Sequence, residues 1–260
     1  MSDNEYDDYF NPSLFLNENY TSTEYVFGSI HQKLLSSKAA STDHDLTGQV
    51  VWPVSILLSW FVATNAKIFQ GKNVLEVGAG AGLAGFVAAQ FAAHTAITDG
   101  NDVVLRLLKR NVEHTNANCD VLKLLWGEED SVIEFVKEFP HDIDIILGAD
   151  VVCWPNLVLP LLRTIKYLMH KTKDMYKPIF YCGFVCRATN TRDLLFEQAK
   201  SMGFKMWSVE HDKFLPSPRP ENVYSVKELF LLCFQLDPSL LASKEPVLFL
   251  DELDNLQTAC

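Results

Sequence analysis

Residues 73–85 read NVLEVGAGAGLAG, in which an apolar run with one glutamate is followed by four glycines within eight positions. Such a run is typical of a buried strand, and glycine lets the backbone that follows approach a ligand without an intervening Cβ. The helix expected next presents free N–H groups and the positive end of its dipole. The stretch therefore predicts a strand–turn–helix unit that holds a nucleotide-like cofactor against its backbone.

The segments on either side alternate short apolar runs with helical spacing of apolar residues. Strands are predicted at 74–77, 95–98, 121–126, 143–149 and 178–184, and helices at 53–66, from the glycine turn to about Ala92, and at 101–116, 130–138, 157–169 and 190–202. Continuous apolar strands that alternate with helices predict an α/β fold, with a parallel sheet covered on both faces. Two further strand-like runs, 205–212 and 227–236, are separated only by a loop, which predicts a terminal antiparallel hairpin.

Composition divides the chain into three parts. Residues 1–25 are acidic and poor in aliphatic side chains, and residues 36–48 are polar and turn-like, so residues 1–47 are expected to be a loosely packed arm. The alternating pattern fills residues 48–236, which are expected to be one domain. Residues 237–260 are expected to be a tail.

Charge and cysteine content limit the partners. The formal net charge of -11 argues against nucleic-acid binding and suits a basic protein partner. The cysteines lack zinc-binding spacing, so no metal is expected, and reduced thiols fit a cytoplasmic or nuclear protein. The N-terminus is acidic, unlike a signal peptide, and the apolar segment 50–64 contains Pro53 and is shorter than the roughly 20 residues that span a bilayer. No membrane association is expected.

Two features of the glycine turn leave the cofactor open. Gly80, Gly82 and Gly85 satisfy G-x-G-x-x-G, a pattern of dinucleotide-binding proteins. Asp99 follows Gly80 by 19 residues at the end of the second strand, where a carboxylate can accept both ribose hydroxyls of either NAD or S-adenosylmethionine. Glu76 favours S-adenosylmethionine, because a carboxylate two residues before Gly78 would repel a pyrophosphate but suits the sulfonium and amino acid end of the other cofactor.

Six ordered motifs resemble the seven-β-strand protein lysine methyltransferases of methyltransferase family 16. They are G-x-x-x-W-P (48–53), VLEVGAGAGL (74–83), TDGN (98–101), N-V-x-x-T-N (111–116), LLWG (124–127) and GADVV (148–152). The resemblance covers roughly residues 48–236. It implies a Rossmann-like, mostly parallel class I methyltransferase sheet with a C-terminal antiparallel hairpin and an N-terminal extension.

The resemblance also implies positions around S-adenosylmethionine. The methionine moiety would pass over Gly78, Ala79 and Gly80, and Asp99 would hold the ribose. The other implied cofactor contacts are Glu76 near the sulfonium, Trp126 beside the adenine, Ala149 through its backbone, and Trp52 closing over the cofactor.

The substrate side departs from the family pattern. Asp150 matches the first residue of a D-x-x-Y or D-x-x-F motif and is the implied catalytic residue, able to orient an amine or accept its proton through water. The chain continues with Cys153 where the aromatic residue is expected, and Trp154 comes one position later, so both are candidate substrate contacts.

The resulting prediction is an S-adenosylmethionine-dependent methyltransferase that acts on a protein side chain, with lysine ahead of arginine and histidine. It is expected to act as a monomer in the cytoplasm or nucleus. The alternatives are an NAD-linked oxidoreductase, supported by the G-x-G-x-x-G match and Asp99, and a non-catalytic module with the same fold, suggested by the altered D-x-x-Y motif.

Overall fold

Residues 20–38, 44–224 and 228–240 are described by a computed structural model. The strands are β1 (Thr21–Phe27), β2 (Ile30–Ser36), β3 (Asn73–Glu76), β4 (His94–Asp99), β5 (Asp120–Lys123), β6 (Ile145–Ala149), β7 (Ile179–Val185), β8 (Phe204–Ser208) and β9 (Leu229–Leu236). The helices are α1 (Pro53–Thr64), α2 (Ala66–Phe69), α3 (Leu83–Ala89), α4 (Asp102–Thr115), α5 (Glu129–Glu138), α6 (Pro155–His170), α7 (Thr189–Ser201) and α8 (Glu221–Tyr224), with 3-10 turns at His44–Gln49 and His211–Lys213.

The main sheet has seven strands in the order β5-β4-β3-β6-β7-β9-β8. Its neighbouring strands run parallel from β5 to β7, whereas β9 runs antiparallel to both β7 and β8. The predicted α/β class and the terminal antiparallel hairpin are confirmed. The chain moves outward in one direction from β3 and in the other from β6, so the switch point of the topology lies between these two strands, where open α/β sheets bind ligands.

Both faces of the sheet are buried under helices. Successive residues of a strand point to opposite faces, and Val74 joins the apolar cluster that includes α1, α3 and α4, whereas Leu75 joins the cluster that includes α5, α6 and α7. This burial explains why the central strands are continuously apolar in sequence. It also explains why α1, which is buried, has apolar residues around most of its circumference.

Some predicted boundaries shift in the structure. The predicted third strand reaches residue 126, but β5 ends at Lys123. Leu124 N–H makes one more bond to Asp99 O (3.1 Å), and the chain then turns away. Trp126 therefore lies in a turn after the strand. The helix after the glycine turn ends at Ala89 instead of about Ala92.

A two-stranded hairpin precedes the main sheet and was not predicted. Strands β1 and β2 pair in an antiparallel manner around Gly28, whose φ is +66°. The hairpin is bound to α4 by the buried Asn111 side chain, which accepts from Leu35 N–H at 2.7 Å and donates to Leu35 O at 3.0 Å. Part of the predicted arm is thus packed on the domain, while residues 1–19, 39–43 and 241–260 lie outside the described residues.

None of the helices in the described ranges combines the length and apolar character needed to cross a membrane.

Candidate active site

The glycine turn connects β3 to α3 at the switch point of the sheet. Gly78, Gly80 and Gly82 have φ values of +57°, +54° and +85°, a region in which residues with a Cβ are strained. Ala79 N–H donates to Thr98 O at 2.9 Å, which ties the turn to the end of β4. The backbone needs glycine here to make this path.

Close neighbours also exclude side chains from this turn. A Cβ on Gly78 would lie 2.7 Å from Cζ2 of Trp126, and a Cβ on Gly80 would lie 2.9 Å from the carbonyl oxygen of Gly48. The segment around Gly48 therefore crosses directly over the turn. These glycines form a cradle that side chains would fill.

Asp99 is fixed beside this cradle at the end of β4. Its Oδ2 accepts from Gly80 N–H and its Oδ1 accepts from Asn101 N–H, both at 3.0 Å. Burial raises the pKa of Asp99, and the hydrogen bonds from Asn101, Gly80 and Gly100 oppose that rise. A carboxylate oxygen can accept more than one hydrogen bond, so a fixed Asp99 can still accept from the hydroxyls of a ligand.

Glu76 lies beneath the turn at the end of β3, with 1% of its surface exposed. Its Oε2 accepts from Gly85 N–H of α3 at 2.8 Å. Burial raises the pKa of Glu76 to about 8, an effect that the Gly85 hydrogen bond opposes and the negative charge of Asp99 reinforces. The contact that the structure gives Glu76 is with the helix that follows the turn, and its contact with a cofactor stays a prediction.

The two candidate tryptophans make different contacts. Trp126 lies against Gly78, and its Nε1 is buried without a hydrogen-bond partner among the residues that the structure describes. Trp52 precedes α1 and donates from Nε1 to Thr47 O at 3.1 Å. Ala149 is half-buried at the end of β6, on the other side of the switch point.

Asp150 follows β6 and has a φ of +62°, an uncommon value for a residue with a side chain. Its N–H donates to Gly183 O of β7 at 2.7 Å. Its carboxylate, only 5% exposed, accepts from Arg187 through two bonds, Nη1–Oδ1 at 2.7 Å and Nη2–Oδ2 at 2.5 Å. Arg187 was missed at the sequence level, and its position just after the fifth predicted strand was the available signal.

Cys153 occupies the position of the family's aromatic residue and bends back on the loop. Its thiol donates to Asp150 O at 2.8 Å and lies 3.5 Å from Nη1 of Arg187, which donates to the sulfur. Burial and the negative charge of Asp150 raise the pKa of Cys153 to about 12, so this thiol stays protonated at neutral pH. Trp154 follows at the start of α6 and is 49% exposed, the most exposed of the candidate aromatic residues.

The structure thus brings Glu76, the glycine turn, Asp99, Ala149 and Asp150 to one edge of the sheet, whereas Trp154 lies outside on the rim. In the ranges that the structure describes, no three His, Cys, Asp or Glu side chains form a group that could hold a metal ion. The glycine cradle, the fixed carboxylate and the unpartnered indole N–H fit a cofactor that carries a ribose and an aromatic base.

A seven-stranded sheet of this order is the fold of class I methyltransferases. The solved 16S rRNA N2 G1207 methyltransferase RsmC of T. thermophilus, in complex with AdoMet and guanosine, shares the fold. Its TM-score is 0.56 at 13% identity, over 84% of this chain and 51% of that one.

The chain belongs to the lysine methyltransferase family, whose sequence model matches residues 32–199. Protein N-lysine methyltransferase METTL21A of Mus musculus is 32% identical over 169 residues, which are 63% of this chain and 71% of that protein. Histone-arginine methyltransferase METTL23 of Xenopus laevis is 34% identical over 127 residues, 48% of this chain and 53% of that protein.

Family membership confirms the resemblance drawn from the motifs, and with it the S-adenosylmethionine cofactor and protein lysine methylation. The NAD-linked alternative receives no support. The matched region begins within β2. The family sequence therefore includes part of the hairpin that was not predicted.

Proposed function

We propose that this chain methylates a lysine side chain of a protein, using the site at the carboxyl ends of β3, β4 and β6. The observation that carries the proposal is the Asp99 carboxylate, held by Gly80 N–H and Asn101 N–H beside a turn in which Gly78 and Gly80 have no room for a Cβ. Family membership supports S-adenosylmethionine as the ligand of that arrangement.

The proposed roles follow from position. The backbone of residues 78–80 carries the methionine moiety, Asp99 accepts from the ribose hydroxyls, and Trp126 flanks the adenine. Ala149 lines the pocket through its backbone, Trp52 closes the side next to α1, and Glu76 braces the turn from below. Bound S-adenosylmethionine supplies a methyl group on a positively charged sulfur, so the protein chiefly has to align the acceptor with it.

The acceptor amine has to arrive without its proton. An unperturbed lysine has a pKa of about 10.4, and an apolar channel favours the neutral amine by desolvation. We propose that Trp154 and Cys153 line that channel and that Asp150 orients the amine through a hydrogen bond. Each Asp150 oxygen can accept a further bond besides the one from Arg187.

The cofactor role of Asp99 is tested by titration calorimetry with S-adenosylhomocysteine. Asp99→Ala is expected to weaken binding at least tenfold, a loss of about 1.4 kcal/mol, because the ribose hydroxyls lose their acceptor. The matched control is Asp102→Ala, three residues further along and exposed, whose salt bridge with Lys123 lies on the surface. Equal affinity of the parent and Asp99→Ala would remove Asp99 from the cofactor site.

The activity is tested with tritiated S-adenosylmethionine and heat-treated cell extract, followed by acid hydrolysis of the labelled protein and identification of the methylated amino acid. Methyl-lysine is expected. Methyl-arginine is the second candidate product, because the METTL23 relative is a histone-arginine methyltransferase. Normal binding of S-adenosylhomocysteine with no labelled protein would favour the non-catalytic module.

We also propose that the protein acts as a monomer in the cytoplasm or nucleus. The five cysteines of the described ranges are all free thiols, which supports a reducing compartment.

A further inference from the structure

Arg187 makes the closest charged contacts of the proposed catalytic carboxylate. The two parallel N–H···O bonds to Asp150 match the fork of a guanidinium to the two oxygens of a carboxylate, an arrangement that fixes both position and plane. The Asp150 side chain is 5% exposed, whereas the Arg187 side chain is 45% exposed. The pair therefore has a buried anionic end and a cationic end that reaches the surface.

The backbone holds the two partners in register. Ala149 and Gly183 are paired residues of β6 and β7, and Asp150 and Arg187 follow the ends of these strands. Asp150 N–H bonds to Gly183 O, and Cys186 N–H bonds to Glu228 O next to β9 at 3.0 Å. The ion pair is thus anchored on three adjacent strands, beside the edge where the cofactor residues meet.

An isolated buried carboxylate at this position would hinder methyl transfer. An opposite charge within about 4–6 Å favours the charged form of a group, by 1–3 pKa units in typical cases. Asp150 alone would therefore stabilise the acceptor lysine as an ammonium ion, which has no lone pair with which to attack the methyl group. The Arg187 guanidinium cancels that effect while it leaves the carboxylate oxygens able to accept an N–H bond.

We propose that Arg187 is a positioning residue for methyl transfer, which neutralises Asp150 and so lets the acceptor lysine bind as the neutral amine. The inference rests on the proposed function, since it needs an amine acceptor at Asp150. The guanidinium is suited to the task because it stays charged across the whole range in which lysine titrates. Its bonds to Asp150 raise its pKa further.

The other ionisable groups around the pair are neighbouring thiols and, towards the surface, charged side chains. Cys153 of the loop before α6 and Cys182 of β7 are thiols whose pKa burial raises, to about 12 for Cys153. Cys233 of β9 behaves in the same way, with its pKa raised to about 12. Towards the surface, Glu228 lies before β9, and Arg192 of α7 pairs with its neighbour Asp193.

The test compares methyl transfer by the parent and by Arg187→Met, using tritiated S-adenosylmethionine and heat-treated cell extract from pH 7 to pH 10. Dividing the variant rate by the parent rate at each pH cancels the titration of the acceptors themselves. We expect a loss of about tenfold at pH 7 that shrinks to less than about threefold at pH 10. Burial in the apolar channel brings the pKa of the bound amine to about 8, and a rise of about one unit without Arg187 lowers its neutral fraction about tenfold at pH 7 but by less than threefold at pH 10. Arg187→Lys keeps the charge and is expected to recover most of the activity at pH 7. Arg192→Met, which removes a nearby surface arginine, is the matched control and should follow the parent.

Three results would overturn the inference. A loss that is equal at all pH values would mean that Arg187 only braces the loop. A variant faster than the parent would mean that Arg187 blocks the acceptor site, and a normal rate at pH 7 would mean that Arg187 does not affect transfer. A second comparison uses the background of Asp150→Asn, which has no charge to neutralise. In that background, Arg187→Met should cause no pH-dependent loss. This comparison and Arg187→Lys still test the inference if Arg187→Met alone does not fold. Unchanged binding of S-adenosylhomocysteine shows that a variant is folded, and failure of the parent itself to label any protein would instead refute the proposed function.

Discussion

Glu76 is a buried carboxyl group whose ionisation opposes folding. Its pKa is about 8 in the folded chain, against 4.5 in an unfolded one. A raised folded-state pKa means that the folded state holds the proton more tightly. The resulting stabilisation is complete below pH about 4.5 and is lost as the pH rises through about 8.

We therefore expect Glu76→Gln to reduce the loss of stability between pH 5 and pH 8, and to melt at a higher temperature than the parent at pH 8. The amide oxygen of glutamine can still accept from Gly85 N–H, so the bond to α3 is retained. Thermal denaturation of the cofactor-free protein measures the effect, with the exposed Glu138→Gln as control. Parallel pH profiles for Glu76→Gln and the parent would contradict the assigned ionisation.

At the scale of residues, the sequence predicted the candidate site residues that belong to a local pattern. The glycines, Glu76 and Asp99 belong to short motifs at strand ends, and the structure brings them to one edge. Arg187 was missed because its partner Asp150 lies 37 positions away, and only the pairing of β6 with β7 brings them together. The positive φ of Asp150 and the bond from the Cys153 thiol to Asp150 O also had no signal in the sequence.

At the scale of elements, Asn111 connects three parts of the molecule. From the middle of α4 its side chain bonds to Leu35 of β2 and also donates to Ala81 O in the glycine turn at 3.4 Å. The β1–β2 hairpin is thereby joined to the turn that is proposed to hold the cofactor. An apolar or shorter side chain at this buried position would leave backbone groups unpaired.

We expect Asn111→Ala to destabilise the protein by about 2–3 kcal/mol, because a buried backbone group left without its partner costs about 1–3 kcal/mol. In Asn111→Ala, the rate of amide hydrogen exchange should increase more in residues 21–36 than in the central strands, and the Leu35 amide should be affected most. Glu113→Ala, on the exposed side of the same helix, should change neither quantity. Unaltered protection of Leu35 in Asn111→Ala would show that the hairpin is held by other contacts.

From residue 53 onward, the type and order of the main helices and strands followed from periodicity, while their ends did not. The end of an element depends on its neighbours in the fold. The last bond between β5 and β4, for example, runs from Leu124 N–H to Asp99 O. The β1–β2 hairpin was missed because its acidic and polar neighbours suggested an arm. The β-branched and aromatic residues of TSTEYVF before Gly28 were the signal for it.

At the scale of the whole molecule, cofactor binding should stabilise the complete sheet, because the site spans both halves at the switch point. S-adenosylhomocysteine at 100 times its Kd is expected to add about 2.7 kcal/mol, which raises the Tm by about 5–10 °C for a chain of this size. Differential scanning calorimetry is the measurement, and NADH at the same concentration serves as the control. A shift with NADH and none with S-adenosylhomocysteine would reverse the cofactor assignment.

The arrangement of the sheet could be predicted only in part from physical patterns. Alternation of strands and helices indicated parallel pairing, and the two final runs without a helix between them indicated a hairpin. The position of β9 between β7 and β8 was not predicted, since no local pattern determines which strand of a hairpin lies inside a sheet.

The position of β9 has a consequence for the synthesis of the chain on the ribosome. Strand β7, with the sequence IFYCGFV, keeps one open edge until β9 has been made, because β8 emerges first but, among the strands that the structure describes, pairs only with β9. At about 5–20 residues per second, the interval from Val185 to Leu229 lasts several seconds. During that time an apolar strand with unpaired backbone groups is exposed to other nascent chains. Mutations that slow the closure of β9 are therefore expected to reduce the yield of soluble protein more than its final stability.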